Sequence, residues 1–306
     1  MKCISGILLV GYGNHVKNKI IPVIKRLNIT LIGIITSNEN VPKGIKVFSS
    51  IEEVRSLCIP SHLLIVNEPA KHDLLIDRYK DYCKNILVEK PIFVSEIKNE
   101  KFKQFNHINL KEAMMYKYNI LYRKLKKHPK LLQNSKKIII NFILPTSSLS
   151  EKKSFRNKIT IKNSILYDIG IYIADFLWSF NLTKYKFNIA LLKTFNNSMP
   201  KVVKITSSNN EIVIKFGYEV FYKNEVIMDY DKKQKKRIKL TPFFFGRPEK
   251  VNLNIEKKVK RSNLKLINDD CILSLIYDWY YGIKNEIQND LQNQNRILFC
   301  NHFLLD

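Results

Sequence analysis

The sequence predicts an α/β protein of two parts: a doubly wound parallel sheet, then an α+β domain with a mostly antiparallel open sheet. Three observations predict it. The first third alternates short apolar runs with helix-periodic stretches. Those runs are too apolar for a sheet with one wet face. After Tyr118 the pattern changes to polar–apolar alternation.

The apolar runs are Ile7–Val10, Leu31–Ile35, Leu63–Val66 and Ile86–Val88. Each is too short for a helix and reads as a strand covered on both faces. Between the first two, Val16, Ile20, Val23, Ile24 and Leu27 recur at helical spacing, with Pro22 placed to kink that helix. Lys71–Lys84 reads as a second helix, with Leu74, Leu75, Ile76 and Tyr79 facing inward. Strand–helix–strand order repeated in this way is the doubly wound pattern. Beyond Tyr118, strands are expected at Lys137–Leu144, Phe187–Leu192, Val202–Ile205, Glu211–Tyr218, Val226–Tyr230 and Arg237–Leu240. Helices are expected at Ile165–Phe180 and about Asp269–Asn285. The domains are therefore set at 1–118 and 119–306. Lys232–Lys239 reads as a solvated hairpin end.

Composition bounds the function classes. Of 306 residues, 45% are hydrophobic and 26% charged, which excludes wholesale disorder and a collagen-like repeat. No apolar run reaches the roughly 18–20 residues that span a bilayer. The start of the chain, through Val10, reads as a first strand and not a signal peptide. The formal charge is +25, yet only nine of the 52 basic residues are Arg, the usual reader of phosphates and guanines. Lysine spread along the whole chain reads as a solvated basic surface, with no specific nucleic-acid partner. The five cysteines, at 3, 58, 83, 271 and 300, show no metal or redox spacing and are expected as reduced thiols in a cytoplasmic protein. The six histidines show no metal-ligand spacing either.

Chemistry concentrates at the ends of the predicted strands. Gly11-Tyr12-Gly13 follows the first strand and opens the first helix, two of only nine glycines in the chain. Such a turn presents backbone N–H groups to a phosphate, with Asn14 and His15 in the first helical turn beside it. A plain tight turn is the alternative. Val16 stands where the full fingerprint has a third glycine, which implies a slightly displaced helix. The second strand ends in Thr36-Ser37-Asn38 with no carboxylate for a ribose 2′-hydroxyl, Glu39 lying beyond and Lys43 nearby. This leans toward NADP over NAD. Glu89-Lys90-Pro91 ends the Ile86–Val88 strand, at the sheet edge where such folds bind ligands. Partial burial there would suit Lys90 to proton transfer.

With these segments in order, the chain resembles the glucose-fructose oxidoreductase / inositol dehydrogenase (Gfo/Idh/MocA) family. Gly11-Tyr12-Gly13 resembles its cofactor loop, and Asn67-Glu68-Pro69-Ala70-Lys71-His72 its loop with a Pro and a following His. Leu87-Val88-Glu89-Lys90-Pro91 matches its signature tripeptide. Met115-Tyr116-Lys117-Tyr118-Asn119 is similar to the segment entering its second domain, with Lys117 where Arg is commoner. Tyr167–Asp175 resembles its Asp-X-Gly-X-His helix start, with Tyr172 in place of His. The matches run from about residue 7 to 178, and Lys162-Asn163-Ser164 departs from a glycine run usual in the family.

The resemblance implies a Rossmann domain and a second domain whose open sheet often builds a homo-oligomer interface. It implies NAD(P)-dependent hydride transfer to or from a carbonyl or secondary alcohol of a small polyol or sugar. Lys90 would hydrogen-bond the substrate oxygen, Tyr172 would be the second acid/base candidate, and Asp168 would orient substrate or tune Lys90. Pro69, His72 and Glu89 would stand near the cofactor. From the residues alone, Tyr172 reads equally as a core tyrosine and Asp168 as a first-turn helix acid. Phe243–Phe245 are expected on the sheet face or at a subunit contact, and Trp178 and Trp279 in the core. A cofactor-binding sensor or scaffold is the alternative to an active enzyme.

Overall fold

A computed structural model describes residues 3–94, 100, 103–149, 165–195, 199–231, 236–244, 271–281, 295–297 and 299–300. The chain forms two compact units. The first runs to Met114 and takes back the described residues from Ile272 onward; the second is Met115–Cys271. The expected boundary after residue 118 thus lies four residues late, and the expected single C-terminal block is interrupted. Nothing local marks that return. It is made by contacts of long sequence separation, such as Tyr280 Oη with Ser5 Oγ at 2.9 Å and the rings of Trp279 and Tyr280 against His62.

The first unit is built on six parallel strands: β1 (Cys3–Val10), β2 (Leu31–Ile35), β3 (Val47–Phe48), β4 (Ile59–Ile65), β5 (Asn85–Val88) and β6 (Asn109–Glu112). Their order is β3-β2-β1-β4-β5-β6, with every neighbouring pair parallel. The order reverses between β1 and β4, the switch point outside whose carboxyl ends sheets of this kind bind ligands. Ile7, Leu8, Leu9, Leu63, Ile65, Ile86 and Val88 are at most 1% exposed, as a sheet covered on both faces requires.

The first helix differs from its expected form. A π-turn over Val16–Ile20 precedes an α-helix at Ile21–Arg26. Pro22 lies just past the π-turn inside one continuous helical run, 14–26, where the widened turn accommodates a residue without an N–H. Buried Val16 occupies the place of the absent glycine. The helix His72–Tyr79 buries Leu75, Ile76 and Tyr79, but Leu74 is 61% exposed and does not face inward. Buried His62 packs edge-on to Trp279, and burial pushes its imidazole down to about 4.

The second unit carries β7 (Lys137–Pro145), β8 (Phe187–Thr194), β9 (Pro200–Ser207), β10 (Ile212–Glu219), β11 (Lys223–Asp231) and β12 (Lys236–Leu240). The order is β12-β11-β7-β10-β9-β8, with β7 and β10 parallel and the other pairs antiparallel. Residues Lys236–Lys239 belong to β12, and 232–235 lie outside the described residues.

On one face of this sheet, Ile138, Ile140, Phe142, Ile214 and Phe216 are buried together with the helix Ile171–Ser179. Phe243 and Phe244 are 0% and 1% exposed and lie on this covered sheet face, as the first of the two expected places has it, with Phe244 stacked on Phe142 of β7 at 4.7 Å; Phe245 lies outside the described residues. Trp279 is core as expected, whereas Trp178 is only partly buried. The other face is polar: Glu225 binds Asn141 and Lys239 at 2.8 and 2.5 Å, and Glu219 binds Lys193 and Lys215 at 2.8 and 3.1 Å. These pairs absorb part of the basic excess. Among the described residues no helix is long and apolar enough to cross a membrane.

Candidate active site

The parallel sheet brings four expected segments to one edge. β1 delivers Gly11–Gly13, β2 delivers Thr36–Asn38, β4 delivers Asn67–Pro69, and β5 delivers Glu89–Pro91. Gly11 is buried at φ +99°, and its N–H donates to Ile35 O at 2.9 Å. A Cβ there would lie 2.7 Å from Asn67 Oδ1, so the position requires glycine. Gly13 is different: it is exposed, and a Cβ there would meet nothing within 4 Å. Asn14 beside it is exposed as well. The Asn38 amide donates to Tyr12 O at 3.1 Å, tying the glycine turn to the loop after β2, and Thr36 Oγ1 accepts from Asn38 N.

A cavity of about 430 Å³ opens beside these residues. Thr36, Ser37, Ser49, Ser50, Glu52 and Arg78 are among its lining residues. Sequence reasoning missed Arg78. It comes from the helix His72–Tyr79, on a different stretch from Ser37, and only the fold joins them. A fixed glycine turn, an open Gly13 and a hydroxyl-lined cavity with one arginine suit the pyrophosphate and ribose of a dinucleotide.

Two histidines tie the loops of this edge together. His15 Nε2 lies 3.2 Å from Glu89 Oε1 and bridges to the turn after β5, while its side chain stays 41% exposed. Burial pulls this imidazole down, but the hydrogen bond and charge of Glu89 outweigh it and hold it above its ordinary 6.5. Burial likewise pushes the Glu89 carboxyl up, and His15 with the Lys90 charge brings it below its ordinary 4.5. His15 therefore stabilises the fold fully below pH 6.5, and that contribution fades as pH rises through the raised value. Glu89 contributes above pH 4.5 and fades as pH falls through the lowered value. The margin in melting temperature of the wild type over His15→Asn is expected to be largest between these two values and to shrink toward pH 8. A margin that grows with pH would contradict the pairing.

His72 is 0% exposed. Its Nδ1 lies 2.7 Å from Pro91 O and its Nε2 3.0 Å from Asn67 O. Both ring nitrogens meet backbone carbonyls, so His72 is a hydrogen-bonder that joins two loops of the edge. Pro69, also buried, opens the short 3₁₀ turn Pro69–Lys71 ahead of that helix. Glu89 and Lys90 are partly buried at the carboxyl end of β5.

The Asp-X-Gly-X-Tyr segment lies in the second unit. Leu166–Gly170 forms a π-turn leading into the helix Ile171–Ser179. Asp168 is 3% exposed and accepts from Tyr218 Oη at 2.5 Å, which ties the turn to β10. This contact accounts for its burial better than the expected first-turn capping. Tyr172 is 0% exposed, its ring against those of Tyr116, Phe142 and Phe244. Fully buried Asp175 accepts from Tyr116 Oη and pairs with Lys117 Nζ at 2.9 Å. The lysine in place of the commoner arginine thus has a structural partner. Lys117→Met is expected to destabilise the second unit by roughly 1–3 kcal/mol, because it removes a cation from a buried carboxylate that keeps its hydroxyl donors. Urea denaturation checks this, and an unchanged midpoint would contradict it. Lys162-Asn163-Ser164 lies outside the described residues. No group of three or more metal-ligating side chains occurs among the described residues.

Comparisons with solved structures agree with this architecture. A 3-ketoreductase from Actinomadura kijaniata, solved with NADP and TDP-benzene, superposes with a TM-score of 0.75 at 13% identity, over 98% of this chain and 95% of that one. Myo-inositol 2-dehydrogenase from Lactobacillus plantarum gives 0.71 at 12% identity, over 98% and 94%. D-galactose-1-dehydrogenase from Rhizobium etli gives 0.66 at 12% identity, over 100% and 96%. At identities this low the likeness establishes a shared two-domain fold. No protein-family profile matches the chain, and no curated protein matches it.

Proposed function

We propose that the chain is an oxidoreductase that binds NADP in preference to NAD. It moves a hydride between the nicotinamide and the carbonyl or secondary alcohol of a small sugar, polyol or related compound. The observation that carries this reading is the single sheet edge on which the Gly11–Gly13 turn, the hydroxyl-lined cavity and Lys90 stand together. A nicotinamide bound there supplies or accepts the hydride. In the reducing direction the ammonium of Lys90 hydrogen-bonds the reacting oxygen, stabilises its developing negative charge and gives it a proton; in the oxidising direction the neutral amine accepts the alcohol's proton. Tyr172 is assigned the second proton-handling role and Asp168 the orienting role, on the Asp-X-Gly-X-Tyr resemblance. In support, the Actinomadura ketoreductase has also been solved as variants lacking one lysine or one tyrosine, separated by about as many residues as Lys90 and Tyr172.

Preference for NADP rests on Ser37 and Arg78 lining one cavity, where a guanidinium would pair with a 2′-phosphate. Arg78→Ala is expected to weaken NADPH binding roughly tenfold or more and NADH binding little, since a charge-assisted bond is worth about 1.5–3 kcal/mol. Equal losses for both would remove Arg78 from the discrimination. Self-association through the second sheet belongs to the same reading: Ile189, Leu191 and Leu192 on its edge strand β8 are 46–56% exposed. Light scattering giving a monomer mass would contradict it.

The full burial of Tyr172 favours a second reading, a member of this fold that binds cofactor without turnover. Incubation with NADPH or NADP and a panel of keto sugars, aldoses and cyclitols separates the two. Cofactor oxidation or reduction with any of them supports the enzyme. Saturable cofactor binding with no turnover across the panel supports the sensor.

A further inference from the structure

The turn that carries Lys90 is gripped by buried groups on both sides. On one side, the Pro91 carbonyl meets His72 Nδ1. On the other, Ile92 N–H donates to Glu112 Oε1 at 2.9 Å. Glu112 ends β6, whose backbone pairs with β5 as far as Val88, and Ala113 N–H donates to Val88 O. Its second oxygen, Oε2, lies 2.9 Å from Arg296 Nη1. The two side chains are 2% and 8% exposed, so neither charge is solvated enough to stand alone. Arg296 comes from the C-terminal segment, 184 residues away.

We infer that Glu112, held by Arg296, is a positioning residue that fixes the backbone following Lys90 and so sets the aim of its ammonium; this rests on the proton-handling role proposed for Lys90. The chemistry requires a carboxylate at 112. A glutamine could accept from Ile92 N–H, but its amide NH₂ would then face the guanidinium, donor against donor. Arg296 therefore acts on the turn through Glu112.

The test uses Arg296→Met, Arg296→Lys and Glu112→Gln in the full chain, with NADPH and the substrate found by the panel. Arg296→Met and Glu112→Gln are expected to lower kcat roughly 10–100-fold, as misplacement of a reacting group by about 1 Å does. NADPH affinity should stay within about twofold, because the interaction serves the chemical step. Arg296→Lys, which keeps the charge, should recover most of the rate. Amide exchange at Ile92 should accelerate in the two damaging variants. An unchanged kcat would overturn the inference. So would kcat and NADPH affinity falling together with the melting temperature, as a purely structural pair would give. Should the wild type bind NADPH and turn over nothing, the functional reading fails. Reductive methylation of Lys90 by formaldehyde and cyanoborohydride, followed by peptide mass spectrometry, then reads the positioning directly. A Lys90 rate altered by Arg296→Met upholds it, and an identical rate overturns it.

Discussion

Lys90→Ala is expected to lower turnover by roughly 10²–10⁴-fold and to leave NADPH affinity nearly unchanged. The asymmetry follows from where the residue stands. Lys90 follows β5, two places from β1 in the sheet order, while the glycine turn follows β1 itself. Removing the ammonium leaves the glycine turn and the hydroxyl-lined cavity intact. On the proposed mechanism it takes away the donor to the reacting oxygen when hydride transfer makes or consumes alkoxide character. Lys90→Arg separates two ways of helping. Arginine keeps a positive charge but does not give up a proton, so it should restore little if proton transfer dominates and much if charge stabilisation does. Steady-state rates with saturating cofactor decide it, and a rate equal to wild type in Lys90→Ala would remove Lys90 from the mechanism.

Gly13→Asp is expected to weaken NADPH binding by about 10–1,000-fold, from roughly 1–4 kcal/mol of repulsion between a carboxylate and a phosphate at close range. The melting temperature should hold. A Cβ at Gly13 meets nothing within 4 Å, so the protein itself has room for the side chain. Gly11→Ala should behave in the opposite way. At φ +99°, with Asn67 Oδ1 at 2.7 Å from the new Cβ, it strains the fold and should cost about 1–3 kcal/mol of stability. The pair separates a glycine kept for backbone conformation from one kept for ligand approach. Calorimetry for stability and fluorescence titration for NADPH give the two readouts. Undiminished NADPH binding by Gly13→Asp would mean that no phosphate comes near this turn.

How legible these features were depended on distance along the chain. Ile7–Val10, Leu31–Ile35 and Ile86–Val88 declare themselves because strands covered on both faces must be continuously apolar. β3 has two residues and carries no readable pattern, and β6 reads Asn-Leu-Lys-Glu because it is the edge strand. β8 looks like a core strand in sequence, yet seven of its eight residues are exposed. Apolarity tells of burial only when something covers it, and what covers a strand is a tertiary fact. The strand-end segments of the first sheet, such as Gly11–Gly13 and Glu89–Pro91, were legible because strand and turn are contiguous there. Arg78, Glu112 and Arg296 were not. Each acquires its role from a partner distant in sequence, and no spacing rule joins residue 112 to residue 296. His15 and His72 were found by position, but their partners, Glu89 and the Pro91 and Asn67 carbonyls, were not, because these come from other strand ends.

The most direct test of the central claim is a fluorescence titration of the purified chain with NADPH and, separately, NADH. Saturation at one equivalent per chain, tighter for NADPH and lost in Gly13→Asp, is the expected result. A flat response to both nucleotides up to millimolar concentration would contradict a dinucleotide site on the Gly11–Gly13 edge, and the redox function built on it would fall as well.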